Sequence, residues 1–193
     1  MTMPWIQTEK GRRFDLVATS PAQVDVEEIA SALAKICRFN GHSRYFYSVA
    51  QHSVIVADML PPDARVYGLF HDAHEAYVGD LATPVKDALR QETGGIDAWR
   101  AMVDRIDAAI FGALGLQWPM PADIARQVKH ADLVALATER RDLMADGPVW
   151  SQRMPQPLPR RIVPWGWDKA METFLDRVRR LPLPQAPHGA LAS

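Results

Sequence analysis

The stretch that decides the fold reads Leu69-Phe70-His71-Asp72-Ala73-His74-Glu75-Ala76, and it continues after two residues as Gly79-Asp80-Leu81-Ala82-Thr83-Pro84-Val85-Lys86. Its first part belongs to a predicted helix that begins at Asp63 and ends near Tyr77, with Gly79 as a stop signal. An adjacent His and Asp within a helix are two potential metal ligands. The residues around this pair therefore decide whether the helix carries a binding site.

Helical periodicity extends over most of the chain on both sides of this stretch. Asp25 is a predicted N-cap, with Glu28 at capping-box spacing, for a helix that runs to Cys37. The other predicted helices are Tyr47 to Leu60, Pro84 to about Gln91, Ile96 to Leu114, the segment after Pro121 to about Ala145, and Asp168 to Leu181. We predict an all-α fold: one bundle of six or seven helices over residues 1–181, and a frayed Pro/Ala-rich tail over residues 182–193.

Composition limits the class of protein. With 193 residues and 48% hydrophobic residues, the chain suits one domain with a sizeable core. Its 22 Lys and Arg residues against 23 Asp and Glu residues argue against extended nucleic-acid binding. A single cysteine, Cys37, excludes an internal disulfide and indicates a reducing compartment, so we expect a cytoplasmic protein. Neither a secretory signal nor an apolar run long enough for a membrane span is visible.

Two polar residues project from apolar helix faces far from the His71–Asp72 pair. His52 lies one turn from Val49 and Ile55, and Asp132 has apolar residues one turn away on both sides. A buried ionised group without a partner costs several kcal/mol, which a metal cation offsets. A lone His on such a face is more often a hydrogen-bonded core residue. The apolar faces alone therefore leave two interpretations open, a metal ligand or a structural core residue.

Four ordered segments make the pattern more specific. They are Cys37-Arg38-Phe39-Asn40-Gly41-His42, Tyr47-Ser48-Val49-Ala50-Gln51-His52-Ser53, the run from His71 to Lys86, and Lys129-His130-Ala131-Asp132. Together they resemble the HD-domain superfamily of metal-dependent phosphohydrolases. The similarity covers about residues 14–142 and is greatest to the small bacterial branch of 5′-deoxynucleotidases and deoxynucleoside triphosphate hydrolases.

The resemblance implies a set of metal ligands and an acid/base residue. His52, His71, Asp72 and Asp132 match the ligands of one divalent metal ion. Two imidazoles and two carboxylates suit an ion such as Mn²⁺, Co²⁺, Fe²⁺, Zn²⁺ or Mg²⁺, and the sequence does not determine which. Glu75 matches the group that acts on the attacking water. The alternative for Glu75 is a solvated surface carboxylate.

Basic residues in the same segments match positions that face phosphate in the family, namely Arg38 at the end of the first helix, Lys86 and Lys129. Asp80 and Thr83 either hold the sugar or phosphate or cap the following helix. Where similar deoxynucleotidases carry a Trp after the arginine, this chain has Phe39, which puts discrimination against ribonucleotides in question.

The remaining histidines have weaker assignments. His74 either lines the pocket or joins a second metal; a single metal is the expectation, because the chain offers no well-placed further set of His ligands. His130 and His42 are expected to be structural or exposed.

The predicted function is therefore metal-dependent hydrolysis of nucleotide phosphate esters, and the favoured substrates are 5′-deoxynucleoside monophosphates. One alternative is a deoxynucleoside triphosphate hydrolase that releases tripolyphosphate, and another is a non-catalytic nucleotide-sensing domain. The expected partner is a small-molecule nucleotide. The apolar helix from Ile96 to Leu114 offers either a core face or a homodimer interface.

Overall fold

A computed structural model describes residues 3–150 and 152–183. Within that part of the chain, seven helices of nine or more residues and one short helix confirm the all-α prediction. The helices are α1 (Val26–Lys35), α2 (Val49–Asp58), α3 (Pro62–Phe70), α4 (Glu75–Val78), α5 (Thr83–Glu92), α6 (Ala98–Ala113), α7 (Ala122–Leu143) and α8 (Trp167–Arg179). The predicted tail lies outside the described residues from position 184 onward.

Helix α2 is the central element, and it packs against α1, α3, α7 and α8. Eight of its ten residues are buried, which is the pattern of a helix covered on all sides. The core around it contains Ile29 and Leu33 of α1, Phe70 of α3 and Phe174 of α8. His52 is carried on this helix and therefore lies in the interior.

The side chain of Gln51 joins the C-terminal segment to α2. Its Nε2 donates to the carbonyl of Val163 at 2.9 Å, and its Oε1 accepts from the amide of Trp165 at 2.9 Å. A buried amide with both ends satisfied fixes the approach of the chain that leads into α8.

The N-terminal region contains a feature that the sequence did not predict, an antiparallel pair of three-residue strands, β1 (Trp5–Gln7) and β2 (Arg13–Asp15). Of the predicted capping box of α1, only the bonds to the Asp25 side chain form, and the reciprocal bond from the Glu28 side chain does not. Asp25 does accept from the amides of Glu27 and Glu28, but the Glu28 carboxylate binds the hydroxyl of Thr8 and the amide of Lys10, both at 2.7 Å. Glu28 thus ties the β-hairpin to α1 instead of closing the cap.

The predicted single helix from Asp63 to Tyr77 is interrupted at the His71–Asp72 pair. α3 ends at Phe70 and α4 begins at Glu75, and the turn between them closes with tighter bonds, such as Glu75 N to Asp72 O at 3.0 Å. In a turn of three residues, side chains at positions i and i+3 lie one above the other. Asp72 and Glu75 therefore project to the same side.

The apolar face of α6 is used within the chain. Val103, Ile106, Ile110 and Phe111 are buried, so this face is a core face. No helix among the described residues is both long enough and apolar enough to cross a membrane.

Candidate metal centre

Side chains from three parts of the fold converge on one point. His52 of α2 places its Nε2 3.4 Å from Asp132 Oδ1 of α7, 3.6 Å from Asp72 Oδ2 and 3.3 Å from His71 Nε2. His71 Nε2 is also 3.2 Å from Asp72 Oδ2. The structure thus brings together all four of the predicted ligands.

The cluster has a closed side and an open side. The His52 side chain is fully buried, whereas the side chains of Asp72 and Asp132 are about one-fifth exposed, at 19% and 20%. A cation held here would have protein on the His52 side and access to solvent on the other. That asymmetry is what a centre needs to accept a ligand from outside.

Both imidazoles are oriented by hydrogen bonds through Nδ1. His71 Nδ1 lies 2.8 Å from the carbonyl oxygen of Gly68, and His52 Nδ1 lies 2.6 Å from Glu139 Oε1. A carbonyl and a carboxylate accept hydrogen bonds, so each Nδ1 carries the proton and each neutral ring presents a lone pair at Nε2. The Nε2 lone pair of His52 then faces three other acceptors at 3.3–3.6 Å, namely His71 Nε2, Asp132 Oδ1 and Asp72 Oδ2.

Such an arrangement of acceptors requires a positive charge. In the cation-free chain a proton supplies it: burial and Arg38 oppose the charging of His52, but Glu139 and Asp132 raise its pKa to about 9. A divalent cation would meet the same demand through four bonds. Two imidazole nitrogens and the Asp72 carboxylate are close enough together to hold a metal ion, and Asp132 adjoins them through its 3.4 Å approach to His52 Nε2, so the donor set fits a divalent metal ion.

Glu139 is a functional residue that the sequence interpretation missed. It is fully buried in α7, and it accepts from Tyr47 Oη at 2.9 Å and from Arg38 Nη2 at 3.3 Å besides its bond to His52. Burial acts to raise its pKa, yet Arg38 and His52 hold that pKa below the ordinary value. Glu139 lies two helical turns after Asp132, on the same face, and that spacing was the available signal.

Arg38 lies inside the site and not at the end of the first helix as predicted, because α1 ends at Lys35. It opens a short 3₁₀ segment, Arg38–Gly41, in which Phe39 and Asn40 have left-handed backbone conformations with φ of 56° and 51°. Its Nη1 lies 3.4 Å from Asp72 Oδ2 and its Nη2 binds Glu139. Two carboxylates thus hold a buried guanidinium beside the metal ligands.

Glu75 is buried beside the centre, so the interpretation as a solvated surface residue is wrong. The residue is 3% exposed, and its Oε2 has no hydrogen-bond partner among the described residues. Burial, followed by the negative charges of Asp72 and Asp80, raises the pKa of Glu75 well above its usual value. These surroundings therefore disfavour the ionised form of its carboxyl group relative to that of a solvated Glu.

The other predicted substrate-binding residues differ in how they relate to the metal centre and Glu75. Lys129 is mostly exposed and places Nζ 2.9 Å from Asp132 Oδ2. Lys86 lies over the ring of Trp99, and its charge acts to lower the pKa of Glu75. Asp80 and Thr83 do not cap α5, whose N-cap is Ala82 without a side-chain cap among the described residues.

His42 and His130 are exposed, as predicted. Neither belongs to the groups of potential metal ligands found in the described part of the chain.

Comparison with known proteins places the chain in a family without naming an activity. A scan of protein-family models finds no match. The chain is 35% identical over 182 residues to the uncharacterized protein YfdR of Escherichia coli K12, covering 93% of this chain and 96% of YfdR. It is also 35% identical over 152 residues to the uncharacterized protein RCAP_rcc00048 of Rhodobacter capsulatus, with 74% of each chain covered. The chain belongs to the same family as YfdR.

Proposed function

We propose that this chain is a metal-dependent phosphohydrolase of the HD-domain type that hydrolyses nucleotide phosphate esters, with 5′-deoxynucleoside monophosphates as its favoured substrates. One observation carries the proposal: the Nε2 atoms of two imidazoles, each ring held through Nδ1, lie beside two carboxylates and near a buried Glu75 oxygen that has no partner among the described residues. The choice of a monophosphate follows the resemblance of the four sequence segments to deoxynucleotidases.

His52, His71, Asp72 and Asp132 would hold the metal ion. When bound, a divalent cation polarises a phosphoryl oxygen and lowers the pKa of bound water. Glu139 and the Gly68 carbonyl fix the two rings, so the ligand atoms are in place before a cation arrives. Preorganisation of this kind reduces the cost of binding.

Glu75 is the group that moves protons in this proposal. Because burial and nearby carboxylates raise its pKa, its ionised form is a stronger base than a solvated Glu. The free Oε2 accepts the proton from the attacking water, and the same group then donates that proton to the departing sugar oxygen. General acid–base catalysis of this kind contributes about 10²–10⁴-fold to a rate.

Arg38 supplies positive charge to the transferred phosphoryl group. A guanidinium has five N–H donors, and Arg38 uses one on Asp72 and one on Glu139, while its buried Nε has no partner among the described residues. Lys129 is exposed enough to turn from Asp132 toward a phosphate. Asp80 and Thr83, which are not used as caps, remain candidates for contacts to the sugar.

The decisive experiment measures phosphate release from mono-, di- and triphosphates of all nucleosides in the presence of Mn²⁺ or Co²⁺, with a separate assay for tripolyphosphate. We expect inorganic phosphate from deoxynucleoside monophosphates. Glu75→Gln should lower kcat by about 10²–10⁴-fold, and Asp132→Ala should abolish metal-dependent turnover.

The matched controls are Glu92→Gln and His130→Ala, both at exposed positions, and these should retain wild-type rates. Tripolyphosphate as the product would replace the monophosphate assignment by the triphosphate one. No product from any substrate, with metal bound, would contradict the enzyme proposal and favour a nucleotide-sensing domain.

A further inference from the structure

Two aromatic rings lie next to the metal centre, on the side of Arg38. Phe39 follows Arg38 in the chain, and its ring centroid lies 5.4 Å from Cζ of the Arg38 guanidinium. The ring of Trp150 comes next, with 6.4 Å between the two ring centroids. Because Arg38 Nη1 reaches Asp72 Oδ2 at 3.4 Å, the aromatic pair is connected to a metal ligand through a single side chain.

Trp150 is held in place by Arg140 of α7. The Arg140 guanidinium lies over the indole, with 4.9 Å from Cζ to the ring centroid, and its Nη2 donates to the carbonyl of Pro148 at 3.2 Å. The neighbouring Val149 is 89% exposed, so this segment runs over the surface of the molecule. Trp150 turns back from that surface toward Phe39.

The backbone at Phe39 supports a binding role for this pair of rings. Phe39 has φ of 56° and ψ of 30°, a left-handed conformation that is uncommon for a bulky residue. Such residues cluster at ligand sites, where the surrounding contacts keep them in place. One of these contacts runs from the amide of Arg44 to the carbonyl of Leu143 at 2.9 Å, and it joins the loop after Phe39 to the end of α7, from which the Trp150 segment departs.

The two rings leave aromatic surface uncovered. Their planes make an angle of 49°, so the rings are tilted and do not cover each other face to face. Arg140 lies over one face of the indole, and both Phe39 and Trp150 remain partly exposed. A nucleobase stacks on a surface of this kind whatever its hydrogen-bonding edge, because every base has a π face.

We propose that Trp150, supported by Phe39 and Arg140, is a specificity-determining residue that stacks the base of a nucleotide whose phosphate lies at Arg38 and the metal centre. The inference rests on the proposed function for the position of the phosphate, and it goes beyond that function by assigning a site for the base. Stacking selects for the presence of a base without reading its identity. The substrate class is therefore a nucleoside phosphate with either a purine or a pyrimidine, and simple sugar phosphates bind weakly.

The test compares deoxyadenosine and thymidine 5′-monophosphates with 2-deoxyribose 5-phosphate, which lacks the base. Binding to the full chain with Mn²⁺ is measured by calorimetric titration in a Glu75→Gln background, so that the ligands are not cleaved. We expect both nucleotides to bind about 5–150-fold more tightly than the base-free ligand. Trp150→Leu, which keeps an apolar side chain without a π face, should abolish this preference and leave the affinity for 2-deoxyribose 5-phosphate unchanged. Trp150→Phe should retain most of the preference.

Trp167→Leu in the same background is the matched control. Trp167 is 50% exposed on α8, where Lys35 lies over its ring, so this variant should bind all three ligands as the parent chain does.

Four results would overturn the proposal. The parent chain could bind the three ligands equally or bind none of them, or its preference could be confined to one of the two bases. Trp150→Leu could keep the full preference, or it could weaken all three ligands equally, which would show a structural role. If a preference that depends on Trp150 is found but the wild type hydrolyses no nucleotide, the proposed function fails while the stacking site stands.

Discussion

Replacement of Glu139 by Gln should weaken the metal centre without touching any of its four ligands. Glu139 is fully buried and accepts from His52, Tyr47 and Arg38. A glutamine has nearly the same shape, but one of its two ends is a donor. If its oxygen faces His52, its NH₂ group opposes the Arg38 guanidinium, which also only donates.

The opposite orientation of the glutamine is no better. With the NH₂ group toward His52, the ring must carry its proton on Nε2, which is the atom that faces the other ligands. The loss of a partner that orients a ligating histidine costs roughly 10–100-fold in metal affinity, or about 1.4–2.7 kcal/mol. The cation-free chain should also lose about 3 kcal/mol of unfolding free energy, the low end for a broken buried ion pair, because Arg38 keeps Asp72.

The assay is calorimetric titration of metal-stripped protein with Mn²⁺, together with urea unfolding with and without the ion. Glu172→Gln, an exposed substitution on α8, is the matched control and should change neither quantity. Wild-type Mn²⁺ affinity in folded Glu139→Gln would refute the idea that this buried carboxylate sets the tautomer of His52.

Two further predictions concern stability. In the cation-free chain the pKa of His52 is raised to about 9, so its contribution of about 3 kcal/mol is present below pH 6.5 and is lost as the pH rises through 9. The raised pKa of Glu75 acts in the same direction, with a loss that begins above its ordinary value of 4.5. Urea unfolding of the metal-free chain should therefore show stability that falls as the pH rises from 6.5 to 9, and saturating Mn²⁺ should remove this fall. A flat pH profile without metal would contradict the prediction. Gly68→Ala would press its new methyl group against Leu60 and Ala57, and it should lower the unfolding free energy by about 1–3 kcal/mol. Gly147→Ala is the control. Its added methyl group would meet only the Ala145 carbonyl oxygen, 3.9 Å away, so the same measurement should show no change.

The sequence was sufficient for most of the helices and for the four predicted metal ligands. Periodicity places α1, α2, α6, α7 and α8 within a few residues of their observed ends, because each buries a stripe against the core. The same stripes carry His52 and Asp132, whose inward direction is a local property of a helix. Inference from spacing works for these residues because a helix fixes the direction of each side chain.

Features that depend on tertiary contacts were not predictable in the same way. The β1–β2 hairpin consists of three-residue strands, which are too short for an alternating pattern, and Glu28 anchors it through contacts distant in sequence. The break between α3 and α4 lies at residues with ordinary helix propensity, so the local sequence does not indicate it. Arg38 and Glu139 look like surface charges in the sequence, and only their mutual pairing across the fold makes their burial tolerable.

The central claim is that His52, His71, Asp72 and Asp132 bind one divalent cation together. The direct measurement is the anomalous difference density of a crystal of the full chain equilibrated with Mn²⁺. We predict a peak bonded to Nε2 of both histidines and to the two carboxylates, with Glu139 still on His52 Nδ1. Saturating Mn²⁺ with no peak between these four side chains would contradict the account.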